Sequence, residues 1–353
     1  MRVIRNRPGP APAAKVELAE SRRVRRAGRY APAGAVVAIG NFDGLHLGHQ
    51  ALIGRCHGLA QGGAPVATGN AFPHGLAVAV VTFEPLPQAF FRPQHAPARL
   101  STVYQKLGGL RALGVDIVWL TRFDAQFAGL SARDFVGRVL VADLGAHYVV
   151  IGEDFRFGRG RQGDVTLLRE LGVEFGFEVQ VEPAVHRDGE RISSSGIRAH
   201  LAAGEFDAAA ACLGRPFRME GRVIRGARLG RQLGYPTANL RIRAEPSPVA
   251  GVLAAFARVV GDAHHSRSYG TWRPAVTNLG RRPAVGGKEP LLEVHFFDFD
   301  GDLYGQRLEV QFVAKLRDER GFERIEDLVK QMQRDEQAAR AVLAAARVPD
   351  SER

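Results

Sequence analysis

"GNFDGLHLGHQ" (Gly40–Gln50) stands between an apolar run, AVVAI (35–39), and a helical pattern made by Leu52, Ile53, Cys56 and Leu59. A short run rich in β-branched residues reads as a strand buried on both faces, so the quoted stretch is a strand-to-helix turn. The same texture recurs outward from it, in LAVAVVTF (76–83), VDIVWL (115–120), HYVVI (147–151) and VQVEPAV (179–185). Helical patterns lie between these runs. LSARDFVGRVLVADLG (130–145) opens with Ser131 as N-cap and Asp134 in the acidic N3 place, and SSSGIRAHLAAG (193–204) reads as a short capped helix. Strand–helix alternation predicts a parallel sheet with right-handed crossovers. In such sheets ligands bind beyond the carboxyl ends of the strands, where Gly40–His49 falls.

After Leu213 the texture changes. EGRVI, GVLAAFARVV, RPAVTNLG, LLEVHFFDF and QRLEVQFVAKL are separated by Gly, Pro and Asp turns, the pattern of an antiparallel barrel or sandwich. Phe322 to about Arg347 is an amphipathic segment with Ile325, Leu328, Val329 and Met332 at helical spacing. Two domains of different class follow, 1–205 and 206–345.

Bulk composition narrows the function classes. The 353 residues are 45% hydrophobic and 24% charged, an ordinary globular mixture with no apolar stretch of membrane-spanning length. The arginine-rich start lacks a signal-peptide core, so cytoplasm is the expected location. Two cysteines, Cys56 and Cys212, make neither a disulfide framework nor a zinc set. The net charge of +11 is nearly all arginine, and Arg215–Arg243 holds eight arginines against Glu220 alone. Such a field draws polyanions. A nucleic-acid reader would interleave aromatics, whereas this stretch interleaves glycine.

Two histidines three apart at a helix start can face one ligand, and the helix N-terminus offers free N–H groups and partial positive charge. Gly40, Gly44 and Gly48 let a phosphate chain approach the backbone. By themselves, HxxH and glycines fit turn chemistry equally well, and zinc would need more ligands. The full string, G-x-F-D-G-x-H-x-G-H, resembles the signature of the HIGH-type nucleotidyltransferases, which implies a Rossmann-like parallel sheet. It also implies that His46 and His49 hold ATP phosphates during attack at the α-phosphate, with Gly40, Phe42, Asp43 and Gly48 around them. ISSSGIR (192–198) resembles the ISSTxIR motif that completes such sites. Ser193, Ser194 and Ser195 would bond phosphates, and Arg198 would add a positive fork. FEPLPQAFF (83–91), FDAQFAGLSARDFV (123–136) and GEDFRFGRGRQGD (152–164) resemble one branch, the prokaryotic bifunctional riboflavin kinase/FAD synthetases. There Asp154, Phe155 and Phe157 would contact flavin or nucleotide; Leu86 stands where members often carry His.

In the second half, GRVIRGARLGRQLGYPTANL (221–240) spaces glycines before Pro-Thr-Ala-Asn. Gly-rich loops cradle phosphates, but the only Gly-Lys, Gly287–Lys288, precedes Glu289 and cannot be a P-loop. The string resembles the riboflavin kinase signature, which implies phosphate contacts near Gly226, Gly230 and Gly234, and Thr237 and Asn239 as Mg²⁺ ligands. Glu293 matches the family's catalytic glutamate, and alternation puts it with His295 on one strand face, opposite Val294 and Phe296. Asp298, Asp300, Asp302 and Glu309 lack the Gly and flanking helices of an EF-hand, so DFDGDLYG reads as a hairpin turn. Leu253 and Ala284 depart from the family pattern, and His264–His265 reads as a solvated pair.

The resemblance implies a barrel that phosphorylates riboflavin to FMN and an α/β domain that transfers AMP from ATP to FMN, giving FAD and pyrophosphate. Mg²⁺ would serve both steps, with ATP as co-substrate. Riboflavin, FMN and ATP are the expected partners, without nucleic acid or membrane, and transient self-association is left open. The alternatives are another phosphorylated acceptor, a chain with one degenerate site, or a basic nucleic-acid binder with steeply salt-dependent affinity.

Overall fold

The computed structural model describes residues 1–6, 28–31, 33–62, 75–226, 230, 233–242, 246–261, 268–280 and 291–350. Ala284, Lys288, the His264–His265 pair and most of the arginine-rich start lie outside these residues. Two compact units emerge, the first formed by 1–97 and 103–192, the second by 98–102 and 193–353. The boundary expected at 205/206 lies inside the second.

The first unit is built on six parallel strands: β1 (Arg2–Asn6), β2 (Ala35–Ile39), β3 (Ala77–Glu84), β4 (Ile117–Arg122), β5 (Ala146–Gly152) and β6 (Glu178–Glu182). Their spatial order is β1-β4-β3-β2-β5-β6. The pleat sends alternate residues to opposite faces. Ala35, Val37 and Ile39 of β2 therefore join one apolar layer with Val149 and Ile151, while Val36 and Ala38 join the other with Tyr148 and Val150. All five residues of β2 are buried, and each large aliphatic side chain so buried stabilises by roughly 1.5–3 kcal/mol.

Helices cover both faces. α1 (Leu47–Ala60) presents Ile53, Cys56 and Leu59 to one layer. After the short α2 (Pro87–Phe91), α3 (Val103–Ala112) adds Leu110 to the same layer. On the other face, α4 (Ala125–Ala128) precedes α5 (Ala132–Phe135), which continues into a π-helix, Val136–Asp143, and α6 (Val165–Phe175) lies beside them. Ser131 caps α5 as expected, its Oγ accepting from the Asp134 amide at 3.0 Å and donating to the carboxylate at 2.7 Å. The wider turns after Phe135 break the plain helical reading of 130–145; they bring Val136, Val139 and Leu140 inward together. β1 was not anticipated: its register runs Arg2↔Ile117 to Asn6↔Thr121 along the sheet edge. A two-strand hairpin, β7 (His186–Arg187) with β8 (Glu190–Arg191), closes the unit.

The second unit opens with α7 (Ser194–Ala203) and α8 (Phe206–Leu213). Its strands are β9 (Arg218–Ile224), β10 (Ala238–Ile242), β11 (Gly251–Gly261), β12 (Ser268–Tyr269), β13 (Arg273–Gly280), β14 (Leu291–Phe296) and β15 (Arg307–Arg317). Six of them close a barrel in the order β11-β13-β14-β10-β9-β15, sealed by β11–β15 pairing, with β12 appended to β11. Leu240, Leu292, Val294, Leu308 and Val310 are buried. α9 (Ile325–Ala345) packs outside, its Ala339 and Leu343 against Ala254, Phe256 and Trp272. Leu253 is buried in β11.

Local contacts explain why the helices after Ile192 travel with the barrel. Phe206 stacks on Phe312 of β15 at 5.8 Å, and Gly204, left-handed at φ +83°, lies where a Cβ would meet Lys315. The segment 98–102 is held by Arg99 N–H donating to Pro246 O at 2.9 Å and by Arg198 donating to Ala98 O. DFDGDLYG is not a hairpin turn. β14 pairs with β13 and β10, and β15 with β9 and β11, so the segment crosses two strands of the barrel end. Asp298 is pinned there by both guanidinium arms of Arg340, at 2.9 and 3.1 Å.

Candidate active sites

The strand order of the first unit reverses at β2: β3 and β4 lie to one side and β5 to the other. The turns leaving β2 and β5 therefore border the crevice where open α/β sheets bind ligands. Gly40–His46 follows β2, and Glu153–Gly158 follows β5.

The first turn is held by its own apolar residues. Phe42 and Leu45 adopt left-handed backbones (φ 47° and 48°), as does Gly44 at 83°. Non-glycine residues there are strained, and deep burial of both side chains in the layer under α1 offsets this. Phe42, expected among the phosphate contacts, thus has its ring in the core; only its backbone can meet a ligand. Asp43 is also buried, 1% exposed. His46 caps α1: the His49 amide donates to its Nδ1 at 3.4 Å. The imidazoles of His46 and His49 stack with centroids 3.7 Å apart, and Phe42 lies 5.0 Å from His49. Gly48 leaves room for the His46 ring, which a Cβ would approach to a tight 3.2 Å. Burial, then His46, then Lys106 hold the His49 pKa well below 6.5. Its Nδ1 is buried and without a hydrogen-bond partner. Sequence reasoning missed Lys106, a fully buried residue whose Nζ donates to Asn41 O at 2.9 Å. A lysine on a helix ordinarily reads as solvated. Cys56 is inert, burial pushing its thiol up to about 12.

After β5, Phe155 and Phe157 stack at 5.4 Å, but Phe157 is 7% exposed and belongs to the core, with Phe155 packed partly buried against it. Asp154 is exposed and pairs with Arg191 at 3.0 Å. Phe123 contacts Phe83, Phe90, Phe91 and Phe127 at 5.5–5.8 Å. In the second unit, Ser193 caps α7, its Oγ accepting from the Gly196 amide at 3.1 Å, with Ser194 and Ser195 in the first turn. Arg198 spends its Nε on Ala98.

The barrel carries a cavity of about 230 Å³ between its outer wall and α9, lined by Thr237, Asn239, Glu293, His295 and Arg317 among others. Register builds it: Asn239 of β10 and Asn278 of β13 both stand opposite Glu293 of β14. Alternation along β14 buries Leu292 and Val294 inward and leaves Glu293 and His295 on the cavity side. The Pro236–Asn239 stretch is tied down by His295, whose Nδ1 is 2.8 Å from Pro236 O. Gly226 leaves the Asn239 side chain its place: a Cβ would lie 2.6 Å from that amide and force it to shift. Gly230 lines the cavity and Gly234 is left-handed at φ 84°. The Oδ1 atoms of Asn239 and Asn278 are buried without hydrogen-bond partners. Such orphaned oxygens beside a carboxylate are the donor set a hard divalent cation takes.

Asn278 and Arg317 also escaped sequence reasoning. Arg317, at the end of β15, donates to Asp335 of α9 from Nε at 3.0 Å and Nη2 at 2.7 Å; Gln331 donates to the same carboxylate at 2.7 Å. This fork fixes α9 over the cavity. Asp335→Ala leaves a partly buried guanidinium (20% exposed) unpaired, and the expected loss of stability is about 2 kcal/mol, below the value for a fully buried pair. Urea unfolding followed by Trp272 emission, in a Trp119→Phe background, measures it.

Comparison with known proteins gives two family matches: a FAD synthetase model over residues 29–196 and a riboflavin kinase model over 213–343. The bifunctional riboflavin kinase/FMN adenylyltransferase of Escherichia coli K12 is 41% identical over 307 residues, covering 87% of this chain and 92% of the relative. That of Pseudomonas fluorescens is 43% identical over 314 residues, covering 88% and 94%. Among solved structures, a Streptococcus pneumoniae protein described as a macrolide-efflux protein aligns with a TM-score of 0.68 at 27% identity, covering 90% of this chain and 97% of that one. No helix among the described residues here is long and apolar enough to cross a membrane.

Proposed function

The chain belongs to the family of bifunctional riboflavin kinase/FMN adenylyltransferases, and we propose how its residues divide that work. The protein phosphorylates riboflavin to FMN with ATP and transfers AMP from ATP to FMN, giving FAD. As a functional division, 1–205 is assigned to adenylyl transfer and 206–345 to phosphorylation, while the compact units part earlier, at 192/193.

For phosphorylation, Glu293 accepts the proton of the riboflavin hydroxyl as the hydroxyl oxygen attacks the γ-phosphorus of ATP and ADP leaves. The loop around Gly226, Gly230 and Gly234 gives the phosphates access to the backbone. Thr237 and Asn239 hold Mg²⁺, which neutralises phosphate charge when bound. The single observation that carries this reading is the buried, partnerless Asn239 Oδ1 standing in register with Glu293.

For adenylyl transfer, an FMN phosphate oxygen attacks the α-phosphorus of ATP and pyrophosphate leaves. His46, His49 and the amides at the start of α1 hold the phosphates, with Gly40, Gly48 and the Phe42–Asp43 backbone giving close approach. Ser193, Ser194, Ser195 and Arg198 are further phosphate-holding groups, and Asp154 and Phe155 contact the flavin or adenine. No side chain becomes covalently modified, so positioning and electrostatics supply the rate. Riboflavin, FMN and ATP are the small-molecule partners; the reading is of a cytoplasmic enzyme that needs no nucleic acid and associates with itself at most transiently.

Incubation of the purified protein with riboflavin, ATP and MgCl₂, with flavins separated by chromatography, is expected to give FMN and then FAD, and excess EDTA is expected to stop both. Turnover that persists in EDTA would remove the metal role of Thr237 and Asn239, and absence of both products would sink the assignment.

A further inference from the structure

Lys106 is a lysine with no exposed surface, and the groups it grips explain its place. It lies on α3, its Nζ donating to Asn41 O at 2.9 Å and reaching Thr82 Oγ1 at 3.5 Å. Thr82, on β3, donates to that same carbonyl at 3.0 Å. Burying an ammonium costs several kcal/mol unless it is well bonded, so this placement is not incidental packing. A second feature of α3 serves the same turn. Gly109, one helical turn on, lies where a Cβ would collide with the left-handed Leu45. One face of α3 thus grips Asn41 and admits Leu45, the residues at either end of the strained Asn41–Leu45 stretch. We propose that Lys106 is a positioning residue for adenylyl transfer: from beneath the turn it fixes the Asn41 carbonyl and so sets the stance of His46 and His49. The proposal rests on the adenylyl-transfer reading given above.

Charge gives this role a signature that mere packing lacks. Among the described residues, the titratable or charged groups that shift the His49 pKa are His46, from its own turn, and Lys106, from α3. Both oppose protonation of His49, as does burial. Removing the ammonium leaves burial and His46 in place, so the His49 titration rises but stays below the ordinary histidine value.

The test measures FAD formation from supplied FMN and ATP, and the His49 ring-proton titration by NMR, in wild type, Lys106→Met and Thr82→Val. FMN formation from riboflavin reports folding of the barrel alone, so the dispersed NMR spectrum of each sample reports folding of the unit that holds Lys106. In Lys106→Met, kcat for FAD is expected to fall about 100-fold, with FMN formation kept and the His49 titration moved upward. Thr82→Val removes a donor to Asn41 but keeps the charge. It is expected to lose roughly five- to tenfold in kcat with the His49 titration unmoved. Wild-type kcat in Lys106→Met, or an unmoved His49 titration there, overturns the proposal. Should Lys106→Met lose the dispersed spectrum of its own unit, Thr82→Val decides alone, and unchanged kcat overturns it. Wild-type protein that forms FMN but no FAD refutes the adenylyl-transfer reading, and the proposal falls with it.

Discussion

Glu293→Gln is expected to lower kcat for FMN formation by roughly 10²–10⁴-fold while leaving AMP transfer to supplied FMN intact. Glutamine keeps the size of the side chain and its place on β14, in register with Asn239 and Asn278. It loses the carboxylate that accepts the hydroxyl proton, and positioned proton transfer contributes a factor of that order. The substitution is mild for the fold, because the strand is anchored by Leu292 and Val294 on its opposite, fully buried face. If the carboxylate acts mainly on the proton in flight, kcat falls and KM for riboflavin stays near its original value. Steady-state kinetics with each flavin added separately measures both. A variant that retains wild-type kcat would show that Glu293 only lines the cavity, and Asn239 would need another partner.

The contrast between the two halves shows what a single sequence can carry. β2 was readable because both faces are covered, leaving five consecutive apolar residues. β14 was readable for the opposite reason: one face is inward, so the period of two is visible in Leu292, Glu293, Val294 and His295. β1 was not readable, since an edge strand of five residues, RVIRN, carries charged groups and is specified by its parallel pairing to β4 rather than by its own pattern. The DFDGDLYG segment misled because Gly and Asp mark a turn without saying which strands the turn joins. Barrel closure, a long-range property, put two strands between β14 and β15.

The sites divide in the same way. His46 and His49 are legible through the resemblance of the whole G-x-F-D-G-x-H-x-G-H string, not through the glycines alone. Phe42 matches the motif but serves it from within the core, and its role is to make a left-handed turn tolerable. Lys106, Asn278 and Arg317 carry no local signal. Each acts on a residue far along the chain, Asn41, Glu319 and Asp335 respectively, and only the fold brings those partners together.

With His49→Ala, FMN accumulates and FAD formation is expected to fall roughly 10²–10³-fold, the loss typical of one preorganised donor to developing charge. The size of the loss depends on how the site keeps its imidazole. Burial, His46 and Lys106 all disfavour the charged ring, so His49 meets the phosphates as a neutral hydrogen-bonding group. The positive field comes from the start of α1 and from Lys106 below. A neutral ring wedged between His46 and Phe42 loses little order when the transition state forms, which is the condition for such a donor to be effective. The sign of the pH dependence follows. A lowered pKa keeps the working neutral form as pH falls through about 6.5, the ordinary histidine value, and kcat/KM for FAD formation therefore holds there, declining only at lower pH. His49→Ala is expected to show that loss across the pH range without moving FMN formation. An acid limb centred at or above 6.5, or an alanine variant that still makes FAD at the wild-type rate, would mean that the stacked pair is architecture and that the α1 amides hold the phosphates unaided.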